Sequence, residues 1–449
     1  MSDSPRRRAI GVAFSFVLSG CFQVGNGEVS AESTRPRTFD TAPKPPPSAS
    51  APSAAAPDLR VTPGAAPRTT DVVYGIVGTG QSLSVGGRSG NVPFTPYSAL
   101  PVAGHRMLGN LGNPSASAWT LETLADPMRG DCYSLVWPFN VGCQAPHTAI
   151  ASEIDRRSGG SYLTAHIVAG QNGQPMVGIK KGGDQPSYEG SLAEARRFQE
   201  LIAAQGRRFE ILAVVLTHGE SDYGSTNYAG ELVDLQRDYE ADLQAITGQQ
   251  SPIPLLLSQP SAAWPRPEGE ASNIPDVMLD VSEANPSKIF LSGPKTGLSY
   301  WPSDIHLDAD GIHSLGTAYG GMLADLLMGR TPAAPLKPVR VDFQPGAISV
   351  TLNRTIVLDD TLYGDTHAAT HPGWRAGLGF EAHGKEGQEL EIASVNIVGA
   401  AAQITLADPA VRALDVSYTL YGDGEGSVRR GQVRDGAGNW LVQFRRFAP

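Results

Sequence analysis

Apolar positions follow two rhythms along this 449-residue chain. Between residues 71 and 332, short continuous apolar runs alternate with stretches where apolar residues return every three or four positions. The runs are Val72–Val77, Tyr162–Ala169, Phe209–Thr217, Ile253–Ser258 and Lys288–Ser292. A run with no polar alternation predicts a strand buried on both faces. Such strands, separated by amphipathic helices, predict a parallel sheet covered on both sides. One helix is predicted from the capping box Ser191-Leu192-Ala193-Glu194, with Leu192, Ala195, Phe198, Leu201 and Ile202 on one face and Gly206 as the stop. A second spans Tyr228 to Ile246 through Leu232, Leu235, Tyr239 and Leu243, and a last one runs from about His313 to Leu327. The Gly- and Pro-rich stretch from 83 to 160 fits neither rhythm and reads as an insertion over the sheet.

The texture changes after Pro335. Val339–Val341, Ile348–Leu352, Ile392–Val398, Ile404–Leu406 and Val416–Tyr421 alternate at period two, with turn residues such as Gly422-Asp423-Gly424 after them. This predicts a separate β-sandwich over residues 336–449. The other end has no periodicity. Residues 22–70 are rich in Pro, Ala and Ser and predict a disordered tether. Before them, Arg6-Arg7-Arg8 precede the apolar run Ala9–Leu18, about half the length that spans a bilayer. The run ends in Leu18-Ser19-Gly20-Cys21, which resembles a bacterial lipobox. Residues 1–21 are therefore expected to be a lipoprotein signal peptide, with Cys21 lipidated and the protein exported to a bacterial cell envelope, meeting the membrane through that anchor only. In an exported chain the remaining pair, Cys132 and Cys143, is expected to form a disulfide closing a short loop.

Composition narrows the classes of function. Apolar residues make up 41% and charged residues 18%, enough to bury a core. The formal charge of −10, with no basic stripe after the N-terminus, argues against a nucleic-acid partner. Asp304, His306, Asp308 and Asp310 alternate before Gly311 like calcium-loop ligands. However, a histidine occupies an oxygen position and the terminal Glu is missing. No zinc-like spacing occurs, so neither a metal nor a cofactor is expected.

The candidate chemistry lies at the ends of the runs. The first continues into Gly80-Gln81-Ser82-Leu83-Ser84, the second into Gly170-Gln171-Asn172-Gly173, and the third into His218-Gly219-Glu220-Ser221-Asp222. Asp304-Ile305-His306-Leu307 follows the fifth. Ligands of open α/β sheets bind at the carboxyl ends of the strands. A serine there needs a base to take its proton, and the base needs a carboxylate to orient it. Ser82, His306 and Asp304 fit those roles, and backbone N–H groups at Ser82 and Gly173 suit an oxyanion. Ser84 and His313 are the competing serine and histidine. Glu220 and Asp222 either line the pocket or cap the next helix.

These four blocks, in this order, resemble those of SGNH hydrolases, in the branch of sialate O-acetylesterase-like carbohydrate esterases. The resemblance covers about residues 71–330, and Leu315-Gly316 after Gly311 extends the last block. It implies a flavodoxin-like three-layer α/β/α domain over 71–332 and hydrolysis of acyl esters, most often acetyl groups on sugars. It also implies substrate or oxyanion contacts from Gln81, Asn172, Gly173, His218, Gly219 and Glu220. The sequence departs from these patterns at three places. His218 stands where the branch has Gln, the third-block Asn of the wider superfamily is not visible, and Asp304 precedes His306 by two residues where the wider superfamily has three, which leaves open a Ser-His dyad in place of a triad. Two other readings stay open, a surface-anchored glycan-binding protein on a decayed hydrolase fold and a lipase or lysophospholipase. In the first, Tyr363, Trp374 and Trp440 would form a sugar platform.

Overall fold

The computed structural model describes residues 71–86, 102–111, 113, 115–128, 144–261, 271–301, 305–359, 376–421 and 430–449. The signal-like segment with Cys21, the tether, Cys132, Cys143 and Asp304 lie outside the described residues.

All five apolar runs are strands. They are β1 (Val72–Gly80), β4 (Leu163–Val168), β5 (Arg208–Thr217), β6 (Leu255–Gln259) and β7 (Ile289–Pro294). The stretch read as an insertion contributes β2 (Arg106–Gly109), β3 (Thr120–Thr123) and the helix α1 (Pro146–Ser158), so part of it belongs to the sheet itself. The sheet order is β3-β2-β4-β1-β5-β6-β7, with only β3 antiparallel to its neighbour. Counting the five runs alone, the order is 2-1-3-4-5, as in flavodoxin. The chain goes left from β1 to β4 and returns to β5 on the other side. A crevice therefore opens between the ends of β1 and β5.

The helices between the strands are α2 (Met176–Ile179), α3 (Ser187–Ala203), α4 (Tyr228–Thr247), α5 (Ile274–Ala284) and α6 (Ala309–Leu327). Both faces of the sheet are covered, which is why the runs lack polar alternation. On one face Val73, Val77, Val214, Leu216, Leu255 and Leu257 meet Phe198 of α3, Tyr239 of α4 and Met278 of α5. On the other, Ile76, Ala213, Val215 and Leu256 meet Ile150 of α1 and Leu315 and Leu323 of α6. Truncating one such buried side chain to alanine costs about 2–5 kcal/mol. Close contact between α1 and α6 depends on glycine. A Cβ on Gly316 would lie 2.2 Å from the Pro146 carbonyl oxygen, and one on Gly320 would lie 2.8 Å from Glu153 Cβ.

The C-terminal region is β-rich. Its strands are β8 (Pro338–Gln344), β9 (Ala347–Leu352), β10 (Ile356–Leu358), β11 (Phe380–His383), β12 (Ile392–Val398), β13 (Ala401–Leu406), β14 (Asp415–Tyr418), β15 (Val433–Asp435) and β16 (Phe444–Phe447). They form antiparallel sheets ordered β12-β13-β9-β8, β11-β14-β16 and β10-β15. This region packs directly on the α/β region. The Gln259 side chain donates to Gln443 O at 2.8 Å and accepts from Gln443 N–H at 2.8 Å, and Arg445 N–H donates to Asp276 at 3.0 Å. Among the described residues, no helix is long and apolar enough to cross a membrane.

Candidate active site

The site begins where β1 runs out. Gly80 has φ +131°, and a Cβ there would lie 2.0 Å from Thr217 O. Glycine alone lets β1 approach the end of β5 this closely. Gln81 N–H then donates to Thr217 O at 3.0 Å, and the chain turns at once into a single 3₁₀ turn, Ser82–Val85. Ser82 opens the turn, so its own N–H is one of those the turn leaves without an internal acceptor. Ser84 points elsewhere, its hydroxyl donating to Gln81 O at 2.6 Å.

The base arrives from beyond β7. Leading into α6 the chain folds back on itself. Asp308 N–H donates to Ser299 O at 3.2 Å, Tyr300 and Leu307 form an antiparallel bridge, and Trp301 N–H donates to His306 O at 3.1 Å. Asp308 then caps α6, accepting from Gly311 N–H at 2.8 Å on one carboxylate oxygen and from the Ser299 hydroxyl on the other. This fold-back places His306 Nε2 3.0 Å from Ser82 Oγ. Residues 224 apart in sequence thus meet across the β1/β5 crevice. His313 lies on α6, where burial lowers its pKa and Asp310 opposes that shift.

The second and third blocks are tied together behind Ser82. His218 is fully buried. Its Nε2 faces the Gln174 carbonyl at 3.0 Å and must carry the proton, while Nδ1 accepts from the Tyr228 hydroxyl at 2.8 Å. Both ring nitrogens are engaged, so none is left to donate to a substrate oxyanion, and the expected contact from His218 is not made. Burial lowers its pKa, which agrees with a neutral ring. Asp222 accepts the Met176 N–H at 3.1 and 3.2 Å, and burial raises its pKa. Together His218 and Asp222 pin residues 174–176, which follow the Gly173 turn. Gly173 stands exposed at the tip of that turn with φ +66°, and Asn172 beside it is half-buried. Gln81 is buried, and its side-chain oxygen accepts from Ser221 N–H at 3.3 Å. It braces the first block against the third and is not presented to solvent. Gly219, with φ +117°, packs against Ile274 and Pro260.

Glu220 has a partner that the sequence reading missed. Lys295, just past β7, is fully buried and places Nζ 3.0 Å from Glu220 Oε1. Apart from that ion pair, neither carboxylate oxygen has a hydrogen-bond partner among the described residues. Burial lowers the Lys295 pKa and Glu220 opposes the shift. Nζ also lies 3.4 Å from Ser258 Oγ, which accepts from the Tyr319 hydroxyl at 2.7 Å. The pair therefore links the ends of β5, β6 and β7 under the crevice. A lone lysine directly after an apolar strand, in a chain with a glutamate after another strand, was the available signal. Among the described residues, no group of three or more His, Cys, Asp or Glu side chains is placed to hold a metal ion.

No protein-family model and no curated protein matches the sequence. Solved structures do. A carbohydrate acetylesterase from Xanthomonas citri aligns over 84% of this chain and 81% of its own, with 12% identity and a TM-score of 0.51. A protein from Arabidopsis thaliana aligns over 57% of this chain and 98% of its own, with 17% identity and a TM-score of 0.42. NanS aligns over 49% and 78%, with 14% identity and a TM-score of 0.33. At such identities the likeness concerns the fold alone. The chain therefore shares the fold of that carbohydrate acetylesterase over most of both lengths.

Proposed function

We propose that this protein is a serine carboxylic ester hydrolase of the SGNH type that removes acyl groups, acetyl above all, from carbohydrate. The observation that carries the reading is the 3.0 Å approach of His306 Nε2 to Ser82 Oγ at the β1/β5 crevice. In this mechanism Ser82 Oγ attacks the acyl carbon as His306 takes its proton. The negative charge that develops on the carbonyl oxygen is held by the N–H groups of Ser82 and Gly173. His306 then protonates the departing sugar oxygen, leaving an acyl-enzyme. A water, deprotonated by the same imidazole, releases the acid. Asp304 is the carboxylate assigned to orient His306. The fold shared with a carbohydrate acetylesterase supports carbohydrate as the alcohol component. A decayed, purely binding hydrolase fold has no need to keep serine and imidazole within a hydrogen bond.

The test is Ser82→Ala on an acetylated sugar. Triad members act as a unit, so turnover should fall by about a thousandfold or more, with the melting curve unchanged. Near-normal hydrolysis by a folded Ser82→Ala protein would refute the assignment. We also place the protein in a bacterial cell envelope, anchored through lipid on Cys21 and held off the membrane by the tether. This reading is supported by Leu18-Ser19-Gly20-Cys21 after the short apolar run. Cys21→Ala should move the protein out of the membrane fraction, and a variant that fractionates like the parent excludes the anchor.

A further inference from the structure

The loop that carries His306 is held from outside its own domain. Arg430, three residues before the start of β15, reaches back to the chain after β7. Its Nη1 donates to Thr296 O at 3.1 Å and to Leu298 O. The same guanidinium lies over the Tyr300 ring, 4.7 Å from its centroid. Tyr300 is the residue whose backbone bridges Leu307, next to His306, and Trp301 after it donates to the His306 carbonyl. The Tyr300 hydroxyl is fixed too, bonded to Ser261 and donating to Lys295 O at 3.2 Å. An unbroken chain of contacts runs from Arg430 through the 296 and 298 carbonyls and the Tyr300 ring to the backbone that presents the imidazole.

We infer that Arg430 is a positioning residue for the base, and that through it the β-rich region forms part of the catalytic apparatus. This inference rests on the esterase reading above. The physical reason is that a backbone fold-back holds a side chain only as well as its own ends are held. The 299–301 and 306–308 segments pair through a single antiparallel bridge made of two backbone hydrogen bonds, with one side-chain bond from Ser299 to Asp308, too few to be rigid on their own. Carbonyls bonded to a guanidinium have a charge-assisted partner, stronger than a neutral one. The flat guanidinium also stacks on an aromatic face in a way that an ammonium cannot reproduce.

The experiment compares Arg430→Ala, Arg430→Lys and, as a control, Arg412→Ala at an exposed site of the same region, all in the full chain. The substrate is p-nitrophenyl acetate, which needs the serine and the base but no glycan contact. A slightly misplaced reacting group costs up to about a hundredfold. Arg430→Ala should therefore lower kcat by about ten- to a hundredfold, with KM within about twofold. Millimolar guanidinium chloride should restore part of the loss. Arg430→Lys should fall between, and Arg412→Ala should match the parent. Amide hydrogen exchange is read in parallel. In Arg430→Ala the amides of Trp301 and Asp308 should lose protection while those of β1 and β5 keep theirs. Unchanged protection at these amides overturns the inference, and so does a loosened loop with parental kcat. If Arg430→Ala does not fold, the same two measurements on Arg430→Lys decide. Exchange does not depend on which serine reacts, so active Ser82→Ala protein would refute the Ser82–His306 assignment while the test of the brace still stands.

Discussion

Two histidines seven residues apart, His306 and His313, show how little sequence distance says about role. His306 is the backbone partner of Trp301 and reaches Ser82, whereas His313 sits in the second turn of α6, half-buried. Asp308 separates them by capping the helix between the two. His306→Ala should therefore cost ester turnover as much as Ser82→Ala does, about a thousandfold. His313→Ala should act through stability alone, within about 1 kcal/mol, the usual scale of a single substitution. The comparison needs kcat/KM on one acetyl ester and a melting curve for each variant. A dead but folded His313 variant beside an active His306 variant reverses the two roles. The approach of His306 to Ser82 could be anticipated in part, because a glycine-bearing block at the end of β1 marks the serine and the loop before α6 offers the histidine. His218 was misjudged for a physical reason. Sequence shows an imidazole at a strand end, but only packing reveals that Tyr228 and Gln174 claim both of its nitrogens. Arg430 left no sequence signal at all, because its partners are backbone carbonyls.

Among elements, the apolar runs were readable because strands buried on both faces have no alternative pattern to imitate. Helix starts were less so. The Ser191–Glu194 capping box lies inside α3, which begins a turn earlier at Ser187, and the Ser191 hydroxyl donates to Tyr188 O at 2.6 Å. β2 and β3 have four residues each, too short to carry a period. The edge they make covers an unusual buried chain. His105 Nε2 meets Asp155 at 2.9 Å and its Nδ1 meets Thr164 Oγ1 at 2.5 Å. Thr164 then meets His166 at 2.6 Å, and His166 meets His147 at 3.0 Å. Burial lowers the His166 pKa well below its ordinary value, and the neighbouring histidines add to the shift. The unfolded chain therefore binds this proton first. The stability His166 contributes is complete above about pH 6.5, the ordinary histidine value, and declines as pH falls below it, by up to about 1.4 kcal/mol per pH unit. Asp126, pushed up to about 7 by burial, has the opposite sign. Its contribution is complete below the ordinary carboxylate range and is lost as pH rises toward 7. The two effects overlap in the wild type, so the His166 contribution must be taken as a difference. His166→Asn should lose less melting temperature than the parent between pH 8 and pH 5, whatever its value at pH 8. Parallel curves for the two proteins would remove His166 from the acid response.

At the scale of the whole molecule, the change of rhythm after Pro335 marks a change of architecture but not a boundary of stability. Residues of both regions, among them Leu257 and Met278 on one side and Leu336, Val442 and Phe444 on the other, belong to one continuous apolar core. Trp440, which composition offered as part of a sugar platform, lies against Gly297, where a Cβ would come within 2.3 Å of the indole. Tyr363 and Trp374 lie outside the described residues. Gln259 and Gln443 exchange two hydrogen bonds in a buried position, so removing one side strands polar atoms on the other, at about 1–3 kcal/mol for each group left unpaired. An accessory binding module joined by a linker would have its own core and could be deleted without harm. Here deletion would uncover the apolar surface around Leu257 and Met278 and release the loop that Arg430 holds. A chain ending at residue 332 should therefore fail to give a soluble, cooperatively melting protein. The full chain should show one calorimetric transition, with matching calorimetric and van't Hoff enthalpies. Two resolved transitions, or a truncated protein that melts cooperatively and still cleaves p-nitrophenyl acetate, would show that the α/β region stands alone.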